Sequence, residues 1–428
     1  MIEAKKESFM SKKILFVSPT GTLDNGAEIS ITHLMKELVK HGHQVYNIVP
    51  QLDLAKQQSY IDYCEKNQIK LFATPVVKWW WSEAPGGTTG TAEERNYSYR
   101  RNITQIREII QVHQIDLVIS NTVNVFQGAV AASCEGVAHY WLIHEFPEGE
   151  FAYYKEKLSF IDQFSERIFA VAGSLTEALQ SELPHRKIES FAPYTHIEYT
   201  KLQEAKNSRI VSIGRLTERK NQLELLEAYH QLTKKMNDLE LVFIGGWDPK
   251  YKKQCDDYIK ENNLTNVIFT NNVDNPWDYV TEKDICVLPS SMETFGLVYI
   301  EAVLNQVPVI ISDNLGHKSA YELVHAGIVY PLGNIAKLVE KIDDLYQNYA
   351  VQKNLAIQFA DNARKVYTIE QLSKALIQAI DEKVEITNNY LVAIAPLLEN
   401  SRITTALSVN NRFYRFFIRF KNWLRRRA

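Results

Sequence analysis

The run Asp284-Ile285-Cys286-Val287-Leu288-Pro289 leads through Ser290-Ser291-Met292-Glu293-Thr294-Phe295-Gly296 into Leu297-Val298-Tyr299-Ile300-Glu301-Ala302. A short apolar stretch, a polar turn closing on glycine and a proline-free helical segment follow in that order. This is the strand-to-helix step of a βαβ unit. In a parallel sheet, ligands gather beyond the carboxyl ends of the strands, where helix N-termini present unpaired N–H groups. Residues 290–297 are therefore expected on a ligand-binding edge.

The same rhythm extends in both directions. Runs rich in Val, Ile and Phe at 13–19, 44–50, 69–76, 115–121, 138–144, 167–171 and 188–194 alternate with helical periods. The polar stretch 199–208 interrupts them. They resume at 209–214, 239–245, 267–271, 284–289, 307–312 and 328–330. Alternation of this kind predicts α/β architecture with parallel sheets. Two Rossmann-like domains are expected, over 12–195 and 206–383, followed by a helical extension over 384–428. A length of 428 residues suits two domains.

A second motif, Gly214-Arg215-Leu216-Thr217-Glu218-Arg219-Lys220-Asn221, likewise follows a strand and opens a helix. Arg215 can fork onto phosphate oxygens, and Lys220 brings a point charge to the first helical turn. A plain surface charge cluster fits this piece equally well when it is taken alone. Glu293 precedes its helix and Glu301 lies within one, which sets the two carboxylates roughly 12 Å apart. They cannot act on one atom, but the span matches a nucleoside diphosphate-sugar. Gly296 lets backbone N–H groups approach a phosphate. In the first half, Asn25-Gly26-Ala27-Glu28 opens a helix after the first strand. Gly26 either brings amides against a ligand or simply starts the helix, with Glu28 favourable to its dipole. His144-Glu145 closes a strand on the ligand edge, where function is favoured over a structural histidine.

Glu293 and Glu301 with seven residues between them, the Phe295-Gly296 pair, and Gly214-Arg215-Leu216 with Lys220 together resemble the donor site of family 4 glycosyltransferases. The resemblance covers residues 12 to 383. It implies two Rossmann-like domains facing across a cleft, the GT-B fold, and a retaining transfer from a nucleotide-sugar with no metal and no cofactor. By position, Glu293 would contact the donor sugar and Glu301 the ribose. Arg215, Lys220 and the helix start Thr294, Phe295, Gly296 and Leu297 would hold the diphosphate, and Gly26 would approach the donor. His144 would stand beside the reacting carbon. Three departures occur: Asn25 and Asn221 each stand where the family has glycine, and Glu145 where it has Asp. Non-catalytic partner subunits, epimerases and phosphorylases on the same fold are the rivals. Retention of Arg215, Lys220, Glu293 and Glu301 argues against the first, and the pairing of motifs against the others.

A hydrophobic share of 45% and a charged share of 23% are those of a globular chain, and no apolar run reaches the length of a membrane span. The N-terminus lacks a signal-peptide pattern, so a cytoplasmic location is expected. The four cysteines have no C-x-x-C spacing and are expected to be buried thiols. Trp79-Trp80-Trp81 begins a glycine- and threonine-rich loop, for which two readings stand: indoles pinning the loop to its own domain, or a substrate or membrane contact. Residues 412–428 hold seven basic side chains and no acid. Phe413, Phe416, Phe417, Phe420, Trp423 and Leu424 would share one helical face, so 412–427 is expected at the inner leaflet of a membrane, with packing on protein as the alternative. The acceptor would then be a saccharide or a lipid-linked saccharide. No nucleic-acid partner is expected.

Overall fold

The computed structural model describes residues 11–51, 54–76, 78–197, 202–204, 208–236, 238–273, 275–398 and 407–408. The chain divides into two units. The first comprises Met1–Tyr194 with Leu372–Ala428, and the second comprises Thr195–Gln371.

In the first unit the strands are β1 (Lys13–Val17), β2 (Gln44–Pro50), β3 (Lys70–Thr74), β4 (Leu117–Asn121), β5 (Ala138–Ile143), β6 (Arg167–Val171) and β7 (Ile188–Phe191). They lie parallel in the order 3-2-1-4-5-6-7. The second unit contributes β8 (Arg209–Ile213), β9 (Glu240–Ile244), β10 (Val267–Phe269), β11 (Ile285–Leu288), β12 (Val309–Ser312) and β13 (Ile328–Tyr330). Its parallel order is 10-9-8-11-12-13. Strand order reverses between β1 and β4 and again between β8 and β11. These are the switch points at which adjoining loops diverge and leave room for a ligand.

Helices cover both faces of each sheet, which is why the strands read as continuous apolar runs rather than alternating ones. All six residues of β5 are buried. In the first unit Ile103, Ile106 and Ile110 of the helix Ala92–His113 pack on Leu15, Val17 and Val118. In the second, Leu225, Tyr229 and Leu232 of the helix Gln222–Thr233 pack on Ile210, Leu241 and Phe243. The four cysteines are buried free thiols. No helix among the described residues is long and apolar enough to cross a membrane.

The C-terminal boundary differs from the expectation that the second domain runs to 383. The chain leaves the second unit at Gln371, and the helix Lys374–Asp381 belongs to the first. Its attachment is specific: Ala192 donates its N–H to Leu372 O at 3.1 Å, Tyr140 Oη donates to Ala379 O at 2.9 Å, and His43 Nε2 meets Asp381 Oδ1 at 3.1 Å. Beyond it, Glu166 Oε1 accepts from the N–H groups of Thr387 and Asn388, and Arg107 donates to Ala395 O. The expected helical extension contains the 3₁₀ turn Val392–Leu398. It also contains a strand not foreseen, β14 (Leu407–Ser408), which adds antiparallel to β3. The basic aromatic segment 412–427 lies outside the described residues.

Candidate active site

In the second unit, the connections after β8 and β11 flank the switch point. Thr217 caps the short turn Glu218–Lys220, accepting from the Lys220 N–H, and Asn221 follows at φ +55°. That left-handed conformation is the natural place for glycine, and Asn is among the side chains that tolerate it. The departure at 221 thus keeps the backbone that the motif needs. Gln222 ties the turn together, donating to Arg215 O at 3.2 Å.

This turn places two cations on Glu293. Lys220 Nζ lies 2.5 Å from Oε1, and an Arg219 guanidinium nitrogen lies 2.9 Å from Oε2. Arg219 also donates to Met292 O, while its own carbonyl accepts from the N–H and Oγ of Ser291. Burial by itself pushes the Glu293 carboxyl up, but Lys220 and then Arg219 outweigh it and hold the group at about 2. One carboxylate against two cations leaves the cluster with a net charge of +1. Arg219 was not singled out in the sequence, where it reads as one member of a surface cluster. Arg215 is exposed, with no side-chain partner among the described residues.

The turn after Glu293 leaves donors unused. Among the described residues, the N–H groups of Thr294, Phe295, Gly296 and Leu297 reach no acceptor. Gly296, at φ +92°, caps the helix Leu297–Leu304 with no side-chain bond. Four free amides at a helix start, beside Lys220, suit a phosphate. One helical turn further on, Glu301 Oε1 accepts from Thr195 Oγ1 at 3.0 Å and Oε2 from Trp277 Nε1 at 3.2 Å. Its burial raises the carboxyl, and the Trp277 and Thr195 bonds offset this only in part. Neither Trp277 nor Thr195 was visible as a site residue, because their link to Glu301 is made across the fold.

In the first unit, His144 follows β5 and is 9% exposed. Its Nε2 donates to Asn121 Oδ1 at 2.8 Å, so Nδ1 is left as an acceptor. Burial holds the imidazole down at about 3, neutral at physiological pH. Glu145 is not directed at a ligand. Its Oε2 accepts the N–H groups of Val123 and His144, pinning the loop after β4. Burial raises it to about 7 despite those bonds. Thr122, at φ +71°, is a β-branched residue in a strained conformation, held by the Trp141 indole on its carbonyl. Strain of about 1–3 kcal/mol at such a residue is commonly associated with functional edges.

Gly26 is the first residue of the helix Gly26–Lys40, capped by Asn25, which accepts the Glu28 N–H. Glu28 itself turns back instead of facing solvent near the helix dipole. Fully buried, it accepts at Oε1 from Thr20 N, Thr20 Oγ1 and Gly21 N. Burial raises it to about 7. The tryptophan loop is also resolved. Trp79 is fully buried, Trp80 Nε1 donates to Pro19 O, and Trp81 Nε1 donates to Val123 O while stacking on Phe126 at 3.9 Å. The indoles pin the loop, and through it the loops after β1 and β4, to their own unit.

Among the described residues no three His, Cys, Asp or Glu side chains gather as a metal-ligand set. Two parallel sheets of Rossmann order make this a protein of two α/β units, the second with a paired carboxylate and unused helix-start amides at its switch point. Residues 24–191 match the family described as Glycosyltransferase Family 4, and 198–366 match Glycosyl transferases group 1. The chain belongs to these family 4 glycosyltransferases and has the GT-B fold.

Among curated relatives, the capsular polysaccharide biosynthesis glycosyltransferase CapM of Staphylococcus aureus is 24% identical over 143 residues, 33% of this chain and 38% of that protein. The poly(glycerol-phosphate) alpha-glucosyltransferase of Bacillus subtilis is 27% identical over 183 residues, 41% of this chain and 27% of that protein. The chain thus matches well under half the length of each of these two. The solved structure of Anabaena Alr3699/HepE with UDP and glucose shares the fold at a TM-score of 0.66 and 17% identity, over 87% of this chain and 100% of that one.

Proposed function

We propose that the chain transfers a hexose-type sugar from a nucleoside diphosphate-sugar to a saccharide or lipid-linked saccharide, with retention of anomeric configuration, in building a cell-surface polysaccharide or glycolipid. The observation that carries this reading is the turn 293–297, where an ion-paired carboxylate stands beside four unused amides. As the sugar–phosphate bond breaks, negative charge grows on the departing diphosphate, and preorganised donors stabilise it most effectively. The helix-start amides, Lys220 and Arg215 would carry that charge with no metal or cofactor. Glu293 would take the sugar hydroxyls and Glu301 the ribose. His144, neutral and with Nδ1 able to accept, would orient a hydroxyl of the sugar or the acceptor.

One relative is named for capsular polysaccharide biosynthesis and another as a poly(glycerol-phosphate) alpha-glucosyltransferase, and the solved neighbour was captured with UDP and glucose, which makes UDP-sugars the first donors to try. The protein would work in the cytoplasm, with 412–427 resting on the inner face of the membrane. A thermal-shift screen of nucleotide-sugars, followed by mass and anomeric analysis of products, tests the reading. Turnover that survives a chelator is expected. Abolition of turnover by Glu293→Ala with the fold intact is also expected, and full activity in that variant would remove the site.

A further inference from the structure

His317 lies in the first turn of the helix Leu315–Val324 and is 1% exposed. Asn314 caps that helix, its Oδ1 accepting the His317 N–H at 3.0 Å. The amide is thereby fixed with Nδ2 facing the imidazole Nδ1 at 2.9 Å and Ser290 O at 2.9 Å. A proton on Nδ1 could reach Ser312 O at 3.1 Å, but it would also oppose the Asn314 NH₂ group, donor against donor. With Nδ1 accepting from Asn314 Nδ2, the ring carries its proton on Nε2. Burial, only partly countered by Glu293, keeps the imidazole at about 4, so it is neutral near pH 7.

The ring is brought to the turn 293–297 by two glycines. A Cβ on Gly296 would fall 2.7 Å from His317 Cδ2 and 3.3 Å from Nε2, and a Cβ on Gly316 would fall 2.1 Å from Glu293 O. Any side chain at either position would force the helix start away from the turn. Nε2 has no acceptor among the described residues, in a residue that is 1% exposed. It thus stands beside the four unused amides and within electrostatic reach of both Glu293 and Lys220.

We propose that His317 Nε2–H is a further hydrogen-bond donor to the diphosphate oxygens of the bound substrate, acting with the amides of 294–297 and with Lys220. This rests on reading the turn as the diphosphate site. A neutral N–H suits the position because it strengthens anion binding without adding a cation beside a carboxylate that already holds two.

Calorimetric titration of the full chain with inorganic pyrophosphate tests it. Loss of one hydrogen bond to a charged group lowers affinity roughly 10- to 100-fold. His317→Phe, which keeps a ring without a donor, should show that loss, and His317→Gln, which returns an N–H near the Nε2 position, should recover much of it. Weakened binding in Lys220→Ala with unchanged binding in His317→Phe would overturn the proposal and leave the diphosphate site standing. Unchanged binding in Lys220→Ala would overturn the diphosphate site itself. Should the His317 variants unfold, long-range ¹H–¹⁵N spectra of the wild-type imidazole decide the matter. A proton on Nε2 whose resonance moves downfield with pyrophosphate supports the proposal, and a proton on Nδ1 or an unmoved signal refutes it.

Discussion

Replacing Glu293 with Gln tests the electrostatic description of the second unit without any knowledge of the substrate. Gln imitates the protonated carboxyl at every pH, so the difference between the two proteins isolates the ionised group. In the folded chain the carboxyl titrates at about 2 rather than 4.5, because Lys220 and Arg219 overcome its burial. A folded-state value below the unfolded one gives stability that is present above pH 4.5 and lost as pH falls through 2. A displacement of this size corresponds to about 3 kcal/mol. Glu293→Gln should therefore be less stable than wild type by about 3 kcal/mol at pH 7, with the gap closing toward pH 2. Removing one partner of a buried pair also leaves two cations uncompensated, which acts in the same direction. Native-state hydrogen exchange of amides in β8 and β11 reads the second unit separately from the first. If Glu293→Gln equalled or exceeded wild type at pH 7, the ion-paired geometry and the site built on it would be wrong.

Glu145 behaves in the opposite sense: raised to about 7, it favours folding below pH 4.5 and loses that contribution as pH rises through 7. Glu145→Gln should thus gain up to about 3 kcal/mol over wild type at pH 9 and almost nothing at pH 4, read by urea unfolding, and an equal gap at both pH values would contradict it. Trp81→Ala removes the stack on Phe126 and the bond to Val123 O, and should lower stability by about 3 kcal/mol, whereas Trp81→Phe should lose only about 1 kcal/mol. Asn221→Ala should destabilise by about 1 kcal/mol at φ +55° while Asn221→Gly stays within a few tenths, and urea midpoints in the reverse order would argue against the left-handed conformation.

The thirteen expected strands are all present: the inner ones are buried on both faces, so that local sequence alone carries the signal, and the partly exposed β7, β10 and β13 still carry Ile, Val or Phe. β14 was not legible, since two residues have no periodicity and only the free edge of β3 makes them a strand. The helix Lys374–Asp381 falls within the expected second domain, and its allegiance to the first was not legible. An amphipathic face tells that something must cover it, whereas its partners Tyr140 and Ala192 lie far away in sequence. The tryptophan loop looked exposed for a related reason: its composition is that of a surface loop, while its indole acceptors, Pro19 O and Val123 O, come from other loops.

The same distinction divides the candidate site. Glu293, Lys220 and the amides of 294–297 sit on strand-to-helix turns, where spacing along the chain is nearly spacing in space, and so they could be picked out from the sequence. Arg219 was beside them but looked like solvated charge, because only the approach of the 290–293 turn gives it Glu293 as a partner. His317 carried no local mark at all. Its meaning depends on Gly296 and Gly316 having no side chain, which lets two connections from different strands touch. A glycine read as mere flexibility in one turn is, in the folded chain, the space occupied by an imidazole from another.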